Sequence, residues 1–174
     1  MNKLNLGCGT RPREGYVNLD SFKFEGVNVI HDLDKYPWPF KGNAFDEVYS
    51  AHVLEHLADL VRAMEEIWRI SKLGAVIKIE VPYYTGSNSF SDPTHKRFFT
   101  YKTFDFFEKD KMRNYFDKSN KHGFKILSKK IIFSDNLLLK WLNFLPNLSP
   151  MIYERFFSFI LPSQSLIVKL RAIK

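Results

Sequence analysis

The sequence predicts an α/β protein built on a mostly parallel sheet. Three observations predict it. Short apolar runs of strand length recur through the first half of the chain, and each ends on a glycine or a polar residue. A stretch with apolar residues at three- and four-residue spacing follows the fourth run and leads into a fifth. Strands that alternate with turns and helices in this way form parallel sheets with crossover connections. The chain has 174 residues, 45% of them apolar, which suits one folded domain over residues 1–174.

Taken in order, residues 3–6 read as the first strand, with Gly7-Cys8-Gly9 as its turn. Residues 16–19 form a second strand ending at Asp20, and 27–30 a third ending at His31-Asp32. Pro37-Trp38-Pro39 imposes a loop, because proline fixes φ and removes a backbone donor. A fourth strand at 45–49 ends near Ser50. Leu54, Leu57, Val61, Met64, Ile67 and Trp68 then share one helical face. Lys72-Leu73-Gly74 is expected to end that helix, with glycine near the C-cap. Residues 75–81 are the fifth strand, stopped by Pro82. Residues 83–100 read as a long polar and aromatic loop, with a helix near 103–108 and strands at 124–133 and 166–173. Between those last strands lies a hydrophobic insertion at 136–163, expected to be helical, whose only charges are Lys140, Glu154 and Arg155.

Composition narrows the setting. Cys8 is the single cysteine, so no internal disulfide forms. The N-terminus lacks the pattern of a signal peptide, and no apolar run reaches the ~18 residues of a membrane span, so a cytoplasmic protein is expected. The net charge of +7 attracts anionic partners. Much of it falls between Lys109 and Lys130, where Asp110 and Asp117 give the stretch a mixed, solvated character.

Ligands of parallel sheets bind at the C-terminal strand ends, where Gly7–Gly9, Asp20, Asp32 and Ser50 fall. The glycines let the backbone turn tightly and let a ligand approach. The full G-x-G-x-x-G dinucleotide signature is absent, because Pro12 stands at its third glycine. Asp20 is placed to accept hydrogen bonds from ribose hydroxyls, or to cap a turn with Ser21. Only residues 10–15 separate the glycine turn from the second strand, against the ~10–12 of an ordinary crossover. The first helix is therefore a single turn at most, which leaves a pyrophosphate without its usual helix N-terminus.

Four segments in order resemble the motifs of class I S-adenosylmethionine-dependent methyltransferases, of the small type 11-like group: Leu4-Asn5-Leu6-Gly7-Cys8-Gly9, Asn18-Leu19-Asp20, Phe45-Asp46-Glu47-Val48-Tyr49-Ser50 and Val53-Leu54-Glu55-His56-Leu57. Pro37-Trp38-Pro39-Phe40 resembles the family's loop before the fourth strand. The resemblance spans about half the chain. It implies a Rossmann-like, doubly wound, seven-stranded sheet with an antiparallel last strand at 166–173, and S-adenosylmethionine as cofactor. It also implies that Leu6, Gly7, Cys8 and Gly9 line the methionine portion, that Asp20 holds the ribose, that Asp32 and Leu33 sit by the adenine, and that Ser50 and His52 flank the sulfonium. The cofactor carries no phosphate, so the stunted first helix matters little to it.

His52 and His95 are the candidate bases, because histidine titrates near neutral pH. Tyr83, Tyr84 and Arg97 are candidate acceptor contacts, since aromatic faces and a guanidinium suit sugars and anions. His52-Val53-Leu54-Glu55-His56 also spells H-x-x-E-H, a zinc-hydrolase pattern. Glu65, Glu66 and Glu80 are available as a third ligand but stand in no ligand motif, and the segment opens directly after a strand, so no metal is expected. The insertion reads as a helical layer on the sheet, a lid, a membrane- or lipid-facing surface, or a homodimer interface. The expected function is methyl transfer to oxygen or nitrogen of a small molecule, sugar or glycolipid, with RNA second on the strength of the charge. A non-catalytic cofactor-binding protein is the alternative.

Overall fold

The computed structural model describes residues 1–109 and 123–174. Most of the basic stretch around Asp110 and Asp117 lies outside them. Seven strands, β1 (Lys3–Leu6), β2 (Val17–Asp20), β3 (Val29–Ile30), β4 (Phe45–Ala51), β5 (Ser71–Pro82), β6 (Gly123–Ile132) and β7 (Ser165–Ile173), form one sheet in the order β3-β2-β1-β4-β5-β7-β6. The first five run parallel. β7 runs antiparallel to both β5 and β6. The sheet is thus the mostly parallel one that the sequence predicts, with its antiparallel last strand in place. Leu4, Leu6, Leu19, Val48, Ile77, Ile79, Val168 and Leu170 are fully buried along it.

The connections are unusual. Residues 7–16 contain turns and no helix, in line with the short crossover. One long helix, α1 (Leu60–Ile70), leads into β5, and Ala63, Met64, Ile67 and Ile70 are its buried apolar face. The sequence periodicity placed its start near Leu54. Instead, residues 54–56 form a turn, and α1 begins after the N-cap Asp59, whose carboxylate accepts the Arg62 amide. The cause is local competition for backbone groups. His52 has φ of +56°, Asp34 Oδ1 accepts the Ala58 amide at 2.7 Å, and the Arg97 guanidinium donates to the carbonyls of Leu57 and Ala58. Leu54 and Leu57 remain buried, so the apolar spacing serves a turn here rather than a helix.

The helix end also differs from expectation. Ser71 terminates α1, with its hydroxyl donating to the Ile67 carbonyl at 2.6 Å, and β5 begins at once. Gly74, with φ of +78°, sits in the bulge where the β4–β5 register shifts between Phe45 and Glu47. The loop before β4 takes the place of a covering helix. Trp38 is buried, its indole donates to the Leu33 carbonyl at 3.0 Å, and its amide donates to Glu66 Oε2 at 2.7 Å. Arg69 donates to the Phe40 and Trp38 carbonyls and to Glu66, which ties the loop to α1.

The insertion between β6 and β7 is helical in short pieces: Lys140–Phe144, Leu145–Leu148, Pro150–Ile152 and Tyr153–Phe157. It does not bury itself as an ordinary layer. Leu137, Leu138, Trp141, Leu148, Phe159 and Ile160 are each two-thirds exposed or more, while Asn147 bonds Ile131 of β6, Asn143 accepts the Phe133 amide just after β6 and Ser158 meets the Tyr84 hydroxyl just after β5. Among the described residues no helix is long and apolar enough to cross a membrane.

Candidate active site

The strand order changes direction at β1. The chain moves outward from β1 to β3 on one side and resumes at β4 on the other. A crevice opens at such a switch point, above the C-terminal strand ends. Gly7–Gly9 forms its floor. Gly7 has φ of +60°, and a side chain there would meet Val53 Cγ2 at 2.4 Å, so this position requires glycine. Gly9 also has positive φ, +50°, but faces open space, where a ligand can approach its backbone.

Asp20, at the end of β2, completes the floor. Its Oδ2 accepts the Gly9 amide at 2.8 Å and its Oδ1 accepts the Phe22 amide at 3.0 Å. Oδ1 also takes a long contact from Ser21 Oγ at 3.5 Å; a carboxylate offers about four acceptor sites, so Asp20 keeps room for a ligand's hydroxyl. The cleft here has a volume of about 280 Å³ and is lined by Gly7, Asp20, Asp32, Leu33, His52 and Val53, with Asp34, His56 and Leu57 closing one side. A second cavity of about 630 Å³ adjoins it through Gly7 and His52 and is lined by Cys8, Gly9, Thr10, Arg11 and Tyr49. Burial, and then the charge of Asp20, push the Cys8 thiol up, so it presents a neutral surface. Together the two cavities have the size of a small-molecule site.

A third cavity, also about 630 Å³, lies beyond His52 and is lined by Arg11, Glu55, His56, Asn88, Asp92 and His95. His52 borders all three. Its ring is about half exposed, with Nδ1 3.4 Å from Glu55 Oε1 and Nε2 3.8 Å from Glu80 Oε1. The Glu55 carboxylate behind it holds its pKa above the ordinary histidine value, against the effect of burial.

The structure therefore brings Gly7, Cys8, Gly9, Asp20, Asp32, Leu33 and His52 together in one double cleft, with His95 across its mouth. Leu6 lies buried beneath the glycine turn. Ser50 stands apart: it is fully buried in β4, its hydroxyl accepts no partner among the described residues, and it lines none of the three cavities. Tyr83, Tyr84 and Arg97 also line none of them, and apart from the buried Arg97 Nε their polar groups find partners within the chain. The Tyr83 hydroxyl donates to Glu154 at 2.9 Å, the Tyr84 hydroxyl contacts Ser158 Oγ at 2.8 Å, and Arg97 holds the 57–58 carbonyls. These contacts tie Tyr83 and Tyr84 to the insertion and Arg97 to the 52–59 turn. Arg11 and Asp34, which reach the cavities from turns and loops, and Asn88, which opens the short helix Asn88–Ser91, carry no motif that would mark them in the sequence.

Residues 13–79 match the family described as "Methyltransferase domain". No curated protein matches the sequence. Among solved structures, an S-adenosylmethionine-dependent methyltransferase from Archaeoglobus fulgidus is similar at 20% identity and TM-score 0.68, over 98% of this chain and 85% of that one. A chain of a complex with the Haloferax volcanii Trm112 methyltransferase activator is similar at 17% identity and TM-score 0.61, over 99% and 83%. The [4+2]-cyclase SpnF is similar at 15% identity and TM-score 0.58, over 98% and 73%. With the sheet order and the antiparallel β7, these likenesses give the chain the fold of S-adenosylmethionine-dependent methyltransferases, and residues 13–79 carry the match to the methyltransferase domain. The cyclase shows that this fold hosts more than one chemistry, so activity rests on the site.

Proposed function

We propose that the protein binds S-adenosylmethionine across the two adjoining cavities and transfers its methyl group to an oxygen or nitrogen of an acceptor seated in the third. The observation that carries this reading is Asp20 fixed over the Gly7–Gly9 turn at the switch point, with no helix behind the turn to receive a pyrophosphate. Asp20 keeps room for a ribose hydroxyl, and Asp32 and Leu33 lie further along the same cleft. Gly7, Cys8 and Gly9 line the part suited to the methionine end.

When bound, the cofactor supplies an electrophilic methyl group on a sulfonium. The chain's part is then positioning: the cleft fixes one reactant, the cavity beyond His52 fixes the other, and the entropy of bringing them together is lost on binding rather than at the barrier. His52 stands where the cavities meet and is the group placed to accept a hydroxyl proton as the new bond forms. His95 is less suited to that task, because Nδ1 faces the Ser89 carbonyl at 3.0 Å and its ring is nearly buried.

The exposed apolar insertion supports a partly apolar acceptor, a glycolipid or lipid-linked sugar, ahead of RNA. Tyr83 and Tyr84 tie it to the end of β5, next to Pro82 and Asn88 of the third cavity. Calorimetric titration with S-adenosylhomocysteine, followed by product detection across lipid-linked sugars, free sugars and RNA, tests the reading. Binding with turnover on a glycolipid is expected. Binding with no turnover on any acceptor would leave a cofactor-binding protein, and no binding by the folded chain would remove the reading.

A further inference from the structure

We infer that Glu55, His56 and His95 form a divalent metal site whose open coordination position faces the third cavity, where it takes a hydroxyl oxygen of the acceptor. One donor atom from each residue lies within 4.8 Å of the others. Glu55 is fully buried, yet neither carboxylate oxygen accepts a hydrogen bond from the described residues. A buried carboxylate in that condition is costly unless a cation compensates it. The nearest nitrogens, His52 Nδ1 at 3.4 Å and His95 Nε2 at 4.0 Å, lie in ion-pair range without making a directed hydrogen bond.

The second layer fixes both rings for ligation. A carbonyl oxygen only accepts, so His95 Nδ1, 3.0 Å from the Ser89 carbonyl, carries the proton and leaves the Nε2 lone pair toward Glu55. A proton shared between Nε2 and the carboxylate would draw them to hydrogen-bond distance. At 4.0 Å they make no hydrogen bond, and a shift of about half an ångström would let both reach one ion at ~2.0–2.2 Å. The same logic holds for His56. Thr94 Oγ1 donates its own proton to Asp92 Oδ1 at 2.7 Å, so at 2.8 Å it accepts from His56 Nδ1, and Nε2 keeps its lone pair for a metal ion. Each imidazole is thus oriented by an acceptor behind it, as in metal sites, and the two rings meet edge to face at 4.7 Å.

Two imidazoles and a carboxylate suit zinc, cobalt, manganese or ferrous iron rather than magnesium or calcium. Three protein ligands leave a position open. His56 also borders the cofactor cleft, so an oxygen bound there stands between ion and methyl group. The role of that oxygen rests on the methyl-transfer reading; metal binding itself does not. In the step, the acceptor O–H proton passes to His52. The metal-bound oxygen forms the O–CH3 bond as the S–CH3 bond breaks, and that bond's electron pair stays on sulfur. This set differs from the H-x-x-E-H zinc pattern, which would pair His52 with His56 on a helix that the 54–56 turn replaces.

The test is cobalt(II) titration of the chelator-treated full-length protein, without cofactor, followed by visible absorption and by equilibrium dialysis with zinc. One equivalent should bind and raise the melting temperature. E55Q and H95A should weaken binding at least tenfold, and T94V, which leaves all three ligands in place, by ~10–100-fold. C8S should bind as the wild type does. E55Q removes an uncompensated buried charge and should fold without metal, which circular dichroism checks. No uptake by the wild type, or equal uptake by E55Q, H95A and T94V, overturns the site. Calorimetry with S-adenosylhomocysteine separates the two ideas: metal uptake without it leaves the site standing and the transferase reading fallen, and the converse result does the reverse.

Discussion

Asp20 Oδ2 accepts the Gly9 amide at 2.8 Å, so the acid at the end of β2 and the glycine turn after β1 are one rigid unit. A ligand that binds to either binds to both. Asp20→Asn keeps an acceptor for one of the two amides but removes the charge. We expect S-adenosylhomocysteine to bind roughly ten- to a hundredfold more weakly to this variant, the effect of one hydrogen bond to a charged group. Isothermal titration reads the change, and equal affinities would remove Asp20 from the cofactor site.

Gly7 is bound to its conformation twice, by φ of +60° and by Val53 pressed against it. Gly7→Ala should destabilise the fold by about 1–3 kcal/mol in urea denaturation. Adding Val53→Ala relieves the overlap but not the backbone strain. The pair should therefore be more stable than the sum of the single changes, by ~0.5 kcal/mol or more. Strict additivity would show that the contact has no effect.

Glu66 makes stability depend on acid. Burial pushes its carboxyl up, but the Arg69 guanidinium and the Trp38 amide outweigh burial and hold it below the ordinary value of 4.5. Its contribution is therefore present above 4.5 and lost as the pH falls from there through the lower folded value. Glu66→Gln should cost about 1–3 kcal/mol at neutral pH. The gap between the two proteins should close in denaturation curves taken in steps below 4.5; a gap that is independent of pH would mean the charge is not what matters.

The exposed insertion offers a separation of fold from function. Leu138 and Phe159 are about four-fifths exposed, so changing both to serine should alter stability by no more than ~0.5 kcal/mol each. The same change should lower association with vesicles that carry a glycolipid, measured by flotation. Unchanged association would detach the insertion from acceptor binding.

Much of this architecture is legible in the sequence, and the reasons are physical. Strands such as β1 and β7 are apolar runs bounded by turn residues, so pattern alone finds them. The Gly7–Gly9 turn and Asp20 at the end of β2 are also legible as strand-end residues, because a tight turn with positive φ needs glycine and a polar residue marks where an apolar strand stops. Gly74 misleads, since a positive-φ glycine serves a bulge as well as a helix end, and only pairing partners decide between them. The start of α1 misleads because Leu54 and Leu57 keep helical spacing in a turn set by Arg97 and Asp34, both distant in sequence. The cluster of Glu55 with His95 is invisible for the same reason: about forty residues, including α1 and β5, separate members that only the folded loop after β5 brings together.

Glu154 receives the Tyr83 hydroxyl at 2.9 Å and the Tyr101 amide at 2.5 Å, so the insertion is braced to the chain on both sides of the loop that carries His95. The insertion works as a fixed strut, not as a swinging tether. If its apolar side chains rest on a surface, the height of the cavity beside His95 above that surface is set by the folded protein, and a group carried at another depth would pass out of its reach.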